Sequence, residues 1–399
     1  MADDLTAAYS KNAGLGLDSL ANGFANSLAL GSSHALGKGE SFRGASDFGN
    51  IHGCHPCEIL AFLLRVQDLM KAVWYDRQGR AEEVLEFGEL PTPQPGPGEV
   101  RVRLHTSAVN PADANRRAGR LHGMEYPRII PNSDGAGTID GLGESVDPAL
   151  LGSRVWLHFA QRGRPFGTAA EYVCLPRELT SPLPEHLDFT HGACLGIPAM
   201  TAYCGLFQRG PIKGKRILVT GGAGAVGHYA VQLAKWGGAH VIATASFGRK
   251  AAHATLAGAD CVIDYTAPDA ADQILEATQG RGVDHIIDVN AGDNLELCLK
   301  VAADHALWIS YAVGAQVARE LPLIALIRKN LCIRGMYLSG LPYEIRCMAQ
   351  EGLSRWTREV PDAIHAVDST FSLRDTAMAH LAVEAGTKLG TVVVRCNLE

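Results

Sequence analysis

No apolar run in the chain approaches the roughly 18 residues that a bilayer-spanning helix requires. The N-terminus opens on Asp3 and Asp4 instead of a basic stretch followed by an apolar one. A membrane span and secretion are therefore both unexpected, and the expected compartment is the cytoplasm. Blocks of like charge are missing too: 36 basic residues stand against 42 acidic ones, a net charge of -6. That balance disfavours nucleic acid or an anionic membrane as partner and leaves a small molecule as the default. The ten cysteines form no densely spaced framework, and several sit inside apolar strand-like runs, as reduced core cysteines of a cytosolic protein do. No internal repeat is found. What is present is ample material for a core: 399 residues, 47% of them apolar and 20% charged, enough for two ordinary domains.

Texture divides the chain. Residues 1–69 are rich in Gly, Ser, Ala and Asn without a sustained period, and read as a flexible extension with one apolar run, "ILAFLL" at 59–64. From Met70 onward strand-like segments dominate: "MKAVWYD", "LEFGELPTP", then a Pro/Gly turn feeding a strand that alternates Val100, Val102 and Leu104. "GAGTIDGLG", "RVWLHF" and "AAEYVCLP" continue the β pattern to about residue 190. After Gly210 strands at 217–220, 241–245, 261–265, 285–289, 307–312 and 332–338 alternate with helical stretches. Six such units describe an α/β protein with a doubly wound parallel sheet. Residues 340–399 return to mixed texture, ending in helix-like "LRDTAMAHLAVEAG" and strand-like "GTVVVRC".

The first unit carries the chemistry. In "RILVTGGAGAVGHYAVQLAK", Gly222, Gly224 and Gly227 satisfy G-x-G-x-x-G between an apolar strand and a helix. The first glycine is expected to make the tight turn, the second to admit a pyrophosphate, and the third to let helix pack on strand. Ala225 and Val226, opening the helix, bring free N–H groups toward the phosphates. An NAD site usually ends its second strand in an acid that bonds the ribose hydroxyls. Here no Asp or Glu occurs between Gly227 and Asp260; Ser246, Arg249 and Lys250 stand instead. Cations suit the 2′-phosphate of NADP(H), with two solvated residues of a first helical turn as the alternative.

At this point the chain resembles a family, the medium-chain dehydrogenase/reductases, in their zinc-free quinone oxidoreductase or zeta-crystallin-like branch. The resemblance spans 70–399 and rests on "PGPGEVRVRL", "AVNPADANRRAG", "IPNSDGAGTI", "GTAAEYVCLP", "GIPAMTAY", "GGAGAVGHYAVQLAK", "GADCVIDY", "DVNAGDNLELCLKVA" and "AHLAVEAGTKLGTVVVR" in order. It implies a GroES-like catalytic domain of mostly β type over 70–194 and 339–399, embracing a Rossmann NADP-binding domain over 195–338. It also implies that Tyr265 joins Ser246 and Lys250 around the 2′-phosphate, that Thr201 and Asn290 lie along the cofactor, and that Asn110 and Asp113 act near the nicotinamide. Where zinc-dependent relatives carry Cys and a His-Glu pair, this chain has Asn110, Ser133 and Asp134, so no metal is expected.

Without a Lewis acid, hydride transfer from NADPH to an electron-poor acceptor is the expected direction. The resemblance implies an NADPH:quinone oxidoreductase, with an alkenal or enoyl reductase as alternative and an NADPH-binding crystallin-like or nucleic-acid-binding protein as the non-enzymatic one. The family's aromatic residue after Asn-Pro-x-Asp is missing; Asn115, Arg116 and Arg117 stand there. Tyr126 is expected to line the acceptor site in its place, and the two arginines to be solvated, with a hold by Arg116 or Arg117 on a substrate carboxylate as the alternative. A homodimer through the edge strand at 332–338 is implied. Cys54 and Cys57, with His52 and His55, are read as incidental.

Overall fold

The structure is a computed structural model and describes residues 68–397. Cys54, Cys57 and the apolar run at 59–64 lie outside the described residues. Strand β1 (Leu69–Trp74) pairs antiparallel with β2 (Glu86–Pro91). The alternation in the next segment builds β3 (Glu99–Val109), whose Val100, Val102 and Leu104 are fully buried on one face. A short helix α1 (Pro111–Arg117) follows, then β4 (Asp134–Leu142), β5 (Arg154–Leu157), β6 (Tyr172–Pro176) and β7 (Thr180–Pro182). One edge of β3 pairs with β4; the other takes β6 along Glu99–Arg103 and a strand from the far end of the chain along Thr106–Val109.

Past a kinked turn of helix at Leu195–Ala199, α2 (Met200–Phe207) leads into the second sheet. Strands β8 (Arg216–Val219), β9 (His240–Thr244), β10 (Cys261–Ile263), β11 (Val283–Asp288), β12 (Ala302–Ser310) and β13 (Cys332–Gly335) are all parallel, in the order β10-β9-β8-β11-β12-β13. Helices α3 (Ala225–Trp236) and α4 (Arg249–Leu256) are among its crossovers. Both faces are covered: Leu218, Ile286 and Trp308 enter one core, Ile217, Val219, Ile287 and Ile309 the other. Continuous apolar strands are the mark of a doubly wound sheet, and the fold class expected from the sequence is the one observed. Strand order reverses between β8 and β11, where such sheets open a ligand crevice.

The mixed C-terminal texture hides a 17-residue helix, α5 (Tyr343–Glu359). Gly352 interrupts its pattern for a packing reason: a Cβ there would lie 2.0 Å from Cζ of Tyr203 on α2. The chain then returns through β14 (Val367–Ser372), α6 (Thr376–Glu384) and β15 (Thr391–Arg395), and β15 completes the first sheet beside β3. That sheet runs β14-β15-β3-β4-β5-β7, antiparallel except for β14 with β15. No helix among the described residues is long and apolar enough to cross a membrane.

Gly352→Ala is expected to cost about 1–3 kcal/mol through overpacking, lowering the melting temperature by several degrees. Restoring room with Tyr203→Leu in the same chain should recover part of the loss in a thermal melt.

Candidate active site

Glycine geometry shapes the crevice. Gly221, at the end of β8, holds the left-handed conformation with φ +64° that the tight turn needs. The turn expected of Gly222 therefore falls one residue earlier. Gly222 instead lets the loop pack on the sheet, since a Cβ would come within 2.8 Å of the Ala243 methyl. Gly227 brings α3 down onto the turn: a Cβ there would stand 2.2 Å from the Gly221 carbonyl oxygen. Around Gly224 the nearest atom to such a Cβ is 3.4 Å away, so the backbone is open to a ligand. Gly224 is also the N-cap of the 12-residue α3 and no side chain caps it, leaving N–H groups of the first turn directed outward.

Beside this loop lies a cavity of about 260 Å³ lined by Ser246, Lys250, Tyr265, Asn290, Asn294 and Lys388, among others. Four of the side chains expected along the cofactor are thus brought together. Arg249 is not: as the first residue of α4 it is exposed and absent from the lining, because one helical step turns it away from Lys250. Asn290 bonds Asp293, donating through Nδ2 at 2.7 Å. Lys388 was not singled out in the sequence. It arrives from the return toward β15, donates to the Gly390 carbonyl at 2.6 Å, and has its pKa lowered by burial. Gly390 itself bridges to Gly224, so the far end of the chain touches the glycine loop.

A second cavity, of about 550 Å³, opens between the glycine loop and the β-rich part; Ala225, Val226, Asn110, Thr201 and Arg116 are on its wall. The two cavities share Gly221, Gly224, Val289 and Lys388, which makes them one continuous track. Asn110 is held from two directions. Its backbone N–H donates to Asp113 Oδ2 at 2.9 Å, and its side-chain Nδ2 donates to Asp134 Oδ2 at 2.7 Å. Asp134 Oδ2 also accepts the Ile197 N–H at 2.8 Å, while Ser133 Oγ donates to Asp113 Oδ1 at 2.7 Å. Burial raises the pKa of Asp134 well above the usual carboxylate range, and the neighbouring Asp113 adds to it. Burial raises Asp113 as well, against its hydrogen bonds from Asn110 and Ser133.

Two expectations are corrected here. Asp113 does not reach the cavity: it is 2% exposed and spent on Asn110 and Ser133. Tyr126 does not line the cavity either; its hydroxyl donates to the Gly163 carbonyl at 2.7 Å and its ring packs with Tyr75, Val84 and Ile129. The expected solvation of the arginines also fails. Arg117 is 1% exposed and pairs with Glu384 at 2.8 Å, and Arg116 is half-buried on the cavity wall. Ser133 is on the wall too, and Phe159, Arg162, Tyr311 and Tyr337 are further wall residues that no short motif announces, since they come from three separate segments.

A glycine loop at the reversal point of a doubly wound parallel sheet, opening toward a cleft under a β-rich domain, is the setting in which such sheets bind a dinucleotide. Two family models match, the alcohol dehydrogenase GroES-like domain over residues 96–185 and the zinc-binding dehydrogenase over 225–354. A quinone oxidoreductase of Pseudomonas aeruginosa is 30% identical over 318 residues, 78% of this chain and 95% of that protein. A 2-methylene-furan-3-one reductase of Solanum lycopersicum is 34% identical over 204 residues, 49% of this chain and 52% of that protein. A solved mycobacterial structure in complex with NADPH superimposes with a TM-score of 0.71 at 27% identity, covering 82% of this chain and 99% of that one. The chain belongs to the medium-chain dehydrogenase/reductase family.

The raised pKa of Asp134 has a definite consequence for stability. The native protein keeps a proton that the unfolded chain releases, so stability falls as pH rises from the ordinary aspartate range through the raised value of Asp134. Asp134→Asn should flatten that slope in denaturant titrations at several pH values. Asp134→Ala, leaving the Asn110 amide and the Ile197 N–H without their shared acceptor, should lose about 2–4 kcal/mol.

Proposed function

We propose that the chain is an NADPH-dependent, zinc-independent reductase of electron-poor acceptors, either a quinone or the C=C bond of a conjugated carbonyl. The observation that carries the reading is the continuous track, with Ser246, Lys250 and Tyr265 at one end and Asn110 and Thr201 at the other. The open backbone at Gly224 and the uncapped start of α3 suit a pyrophosphate. Lys250 and Tyr265, with Ser246 in place of an acid, suit a 2′-phosphate, and Lys388 adds a second cation to the same stretch. Among the described residues no cluster of three His, Cys, Asp or Glu side chains is set to hold a metal. At the positions where zinc ligands would stand, Asn110, Ser133 and Asp134 are instead committed to one hydrogen-bonded network with Asp113.

When bound, NADPH supplies a hydride from its nicotinamide ring, and the acceptor takes it with one proton from water, a two-electron reduction that leaves the nicotinamide oxidised. The residues do the positioning. Asn110 uses one amide hydrogen on Asp134 and keeps the other for the acceptor's oxygen, where negative charge grows. Asp113 and Asp134 fix the Asn110 rotamer, and Thr201, 6% exposed on the wall, offers a hydroxyl beside the track. Apolar Phe159, Ile197 and Leu338 keep water from the reacting carbon. Arg116 and Arg162 at the same cavity favour the conjugated-carbonyl reading over flat apolar quinones.

A homodimer through β13 is proposed alongside. β13 ends the parallel sheet, and Leu323, Ile324 and Ile327 before it are 65%, 60% and 69% exposed, an edge that a second copy would cover. A mass near twice 42.5 kDa is expected in sedimentation at micromolar concentration; a monomer there refutes the dimer.

Steady-state oxidation of NADPH and NADH against quinones and short enones tests the main reading. NADPH should be preferred at least tenfold in kcat/KM, and Lys250→Ala with Tyr265→Ala should erase the preference, mainly through KM for NADPH. NADH preference would overturn the cofactor assignment, and a silent acceptor panel would overturn the reductase.

A further inference from the structure

The wall of the larger cavity carries three cations, Arg116, Arg162 and Lys388, and not one aspartate or glutamate. That is a local reversal in a chain of net charge -6. Lys388 also lines the smaller cavity and belongs to the cofactor stretch of the track. The two arginines remain. Arg116 donates to the side-chain carbonyl of Gln161, and the Arg162 guanidinium lies 5.8 Å from the centroid of the Phe159 ring. Among the described residues neither makes an ion pair. Asp113, whose carboxyl feels the Arg116 charge, is sealed behind its bonds from Asn110 and Ser133.

Among the other arginines, Arg101 meets Asp140 at 2.9 Å, and Arg117, one residue beyond Arg116, meets Glu384 at 2.8 Å, while Arg154 and Arg164 are spent on backbone carbonyls; Arg116 has neither kind of partner, and Arg162 is exposed at the cavity rim. A half-buried guanidinium held beside a neutral amide, inside a cavity rather than on a face, has its planar fork left for a ligand. The rest of the wall, with Phe159, Ile197, Met336 and Leu338, suits a short carbon skeleton.

We propose that the physiological acceptor is an anionic one: a short conjugated carbonyl compound whose carboxylate is bound by Arg116 and Arg162 while its C=C bond faces the cofactor track. The assignment rests on the reductase reading above and adds the substrate's charge to it. Within it, the two guanidiniums set specificity by offsetting the carboxylate's desolvation, a role that neutral acceptors cannot use.

A matched pair tests it: 4-oxopent-2-enoate and its methyl ester, which share the enone and differ only in the charge. With the full chain and NADPH, the acid is expected to be favoured at least tenfold in kcat/KM. Arg116→Gln with Arg162→Gln should lower kcat/KM for the acid ten- to a hundredfold through KM and lower that for the ester far less, so that the preference for the acid is lost; an unaltered thermal melt shows that the variant is folded. A binding readout stands apart from turnover: calorimetry with the saturated 4-oxopentanoate and the NADP⁺-loaded protein should give heat for the wild type and none for the double variant. Equal use of acid and ester, equal loss of both in the variant, or saturated-acid binding that survives the substitutions would each overturn the anionic assignment. Quinone turnover without either enone would do so too while sparing the reductase. If NADPH reduces no acceptor at all, the reductase reading falls, and calorimetry alone still decides whether the arginines hold a carboxylate.

Discussion

One buried side chain, Asp134, holds the walls of the larger cavity in register. Its Oδ2 accepts from Asn110 on the first sheet's helical corner and from Ile197 on the kinked segment that leads into the second sheet. Gly196 must remain a glycine for this to happen, because a Cβ there would fall 2.2 Å from the Asp134 carboxyl carbon. Among the described residues Asp134 Oδ1 has no hydrogen-bond partner. The chain tolerates that cost because the raised pKa lets the group stay uncharged. Asn110, Asp113, Ser133 and Ile197 are therefore one unit rather than four neighbouring polar residues. Remove its centre and both walls lose their reference point.

Charge organises the same region at longer range. The chain as a whole is acidic, with a net charge of -6, whereas the track collects Lys250, Lys388, Arg116 and Arg162. Cations gathered in a crevice with apolar walls raise the local concentration of anionic ligands and orient them before contact. The Gly224–Gly390 bridge matters here, since it carries Lys388 from the end of the chain to the glycine loop at its middle.

The fold was largely legible because it rests on period and order. Val100, Val102 and Leu104 alternate as a strand must, and the six apolar runs after Gly210 coincide with β8–β13 to within a few residues, apart from β12, which begins five residues before its expected start. The glycine loop was legible as a motif, though which glycine takes the left-handed turn was not: G-x-G-x-x-G does not say that the preceding Gly221 carries it. Side-chain direction was the main casualty. Arg249 and Lys250 are adjacent in sequence and part ways on a helix; Asp113, implied by the resemblance to act near the nicotinamide, serves its own helix start. Tyr126 and Lys388 fail and succeed for the same reason. Local sequence carries no record of which distant segment, Gly163 for one and Gly390 for the other, a side chain will meet.

The pairing of β3 with β15 carries a temporal consequence. Val109 lies opposite Val392, so the first sheet spans nearly the whole described chain, while the parallel sheet is built from one uninterrupted stretch. During synthesis the ribosome releases every strand of the parallel sheet before it releases the one that completes the earlier sheet. The nucleotide-binding half can thus mature first and serve as the template against which the older segment waits, its β3 edge left partly bare. Until β15 arrives, one edge of Thr106–Val109 is unpaired, and the nascent protein is most exposed to misassociation at the very strand that later delivers Asn110 to the cleft.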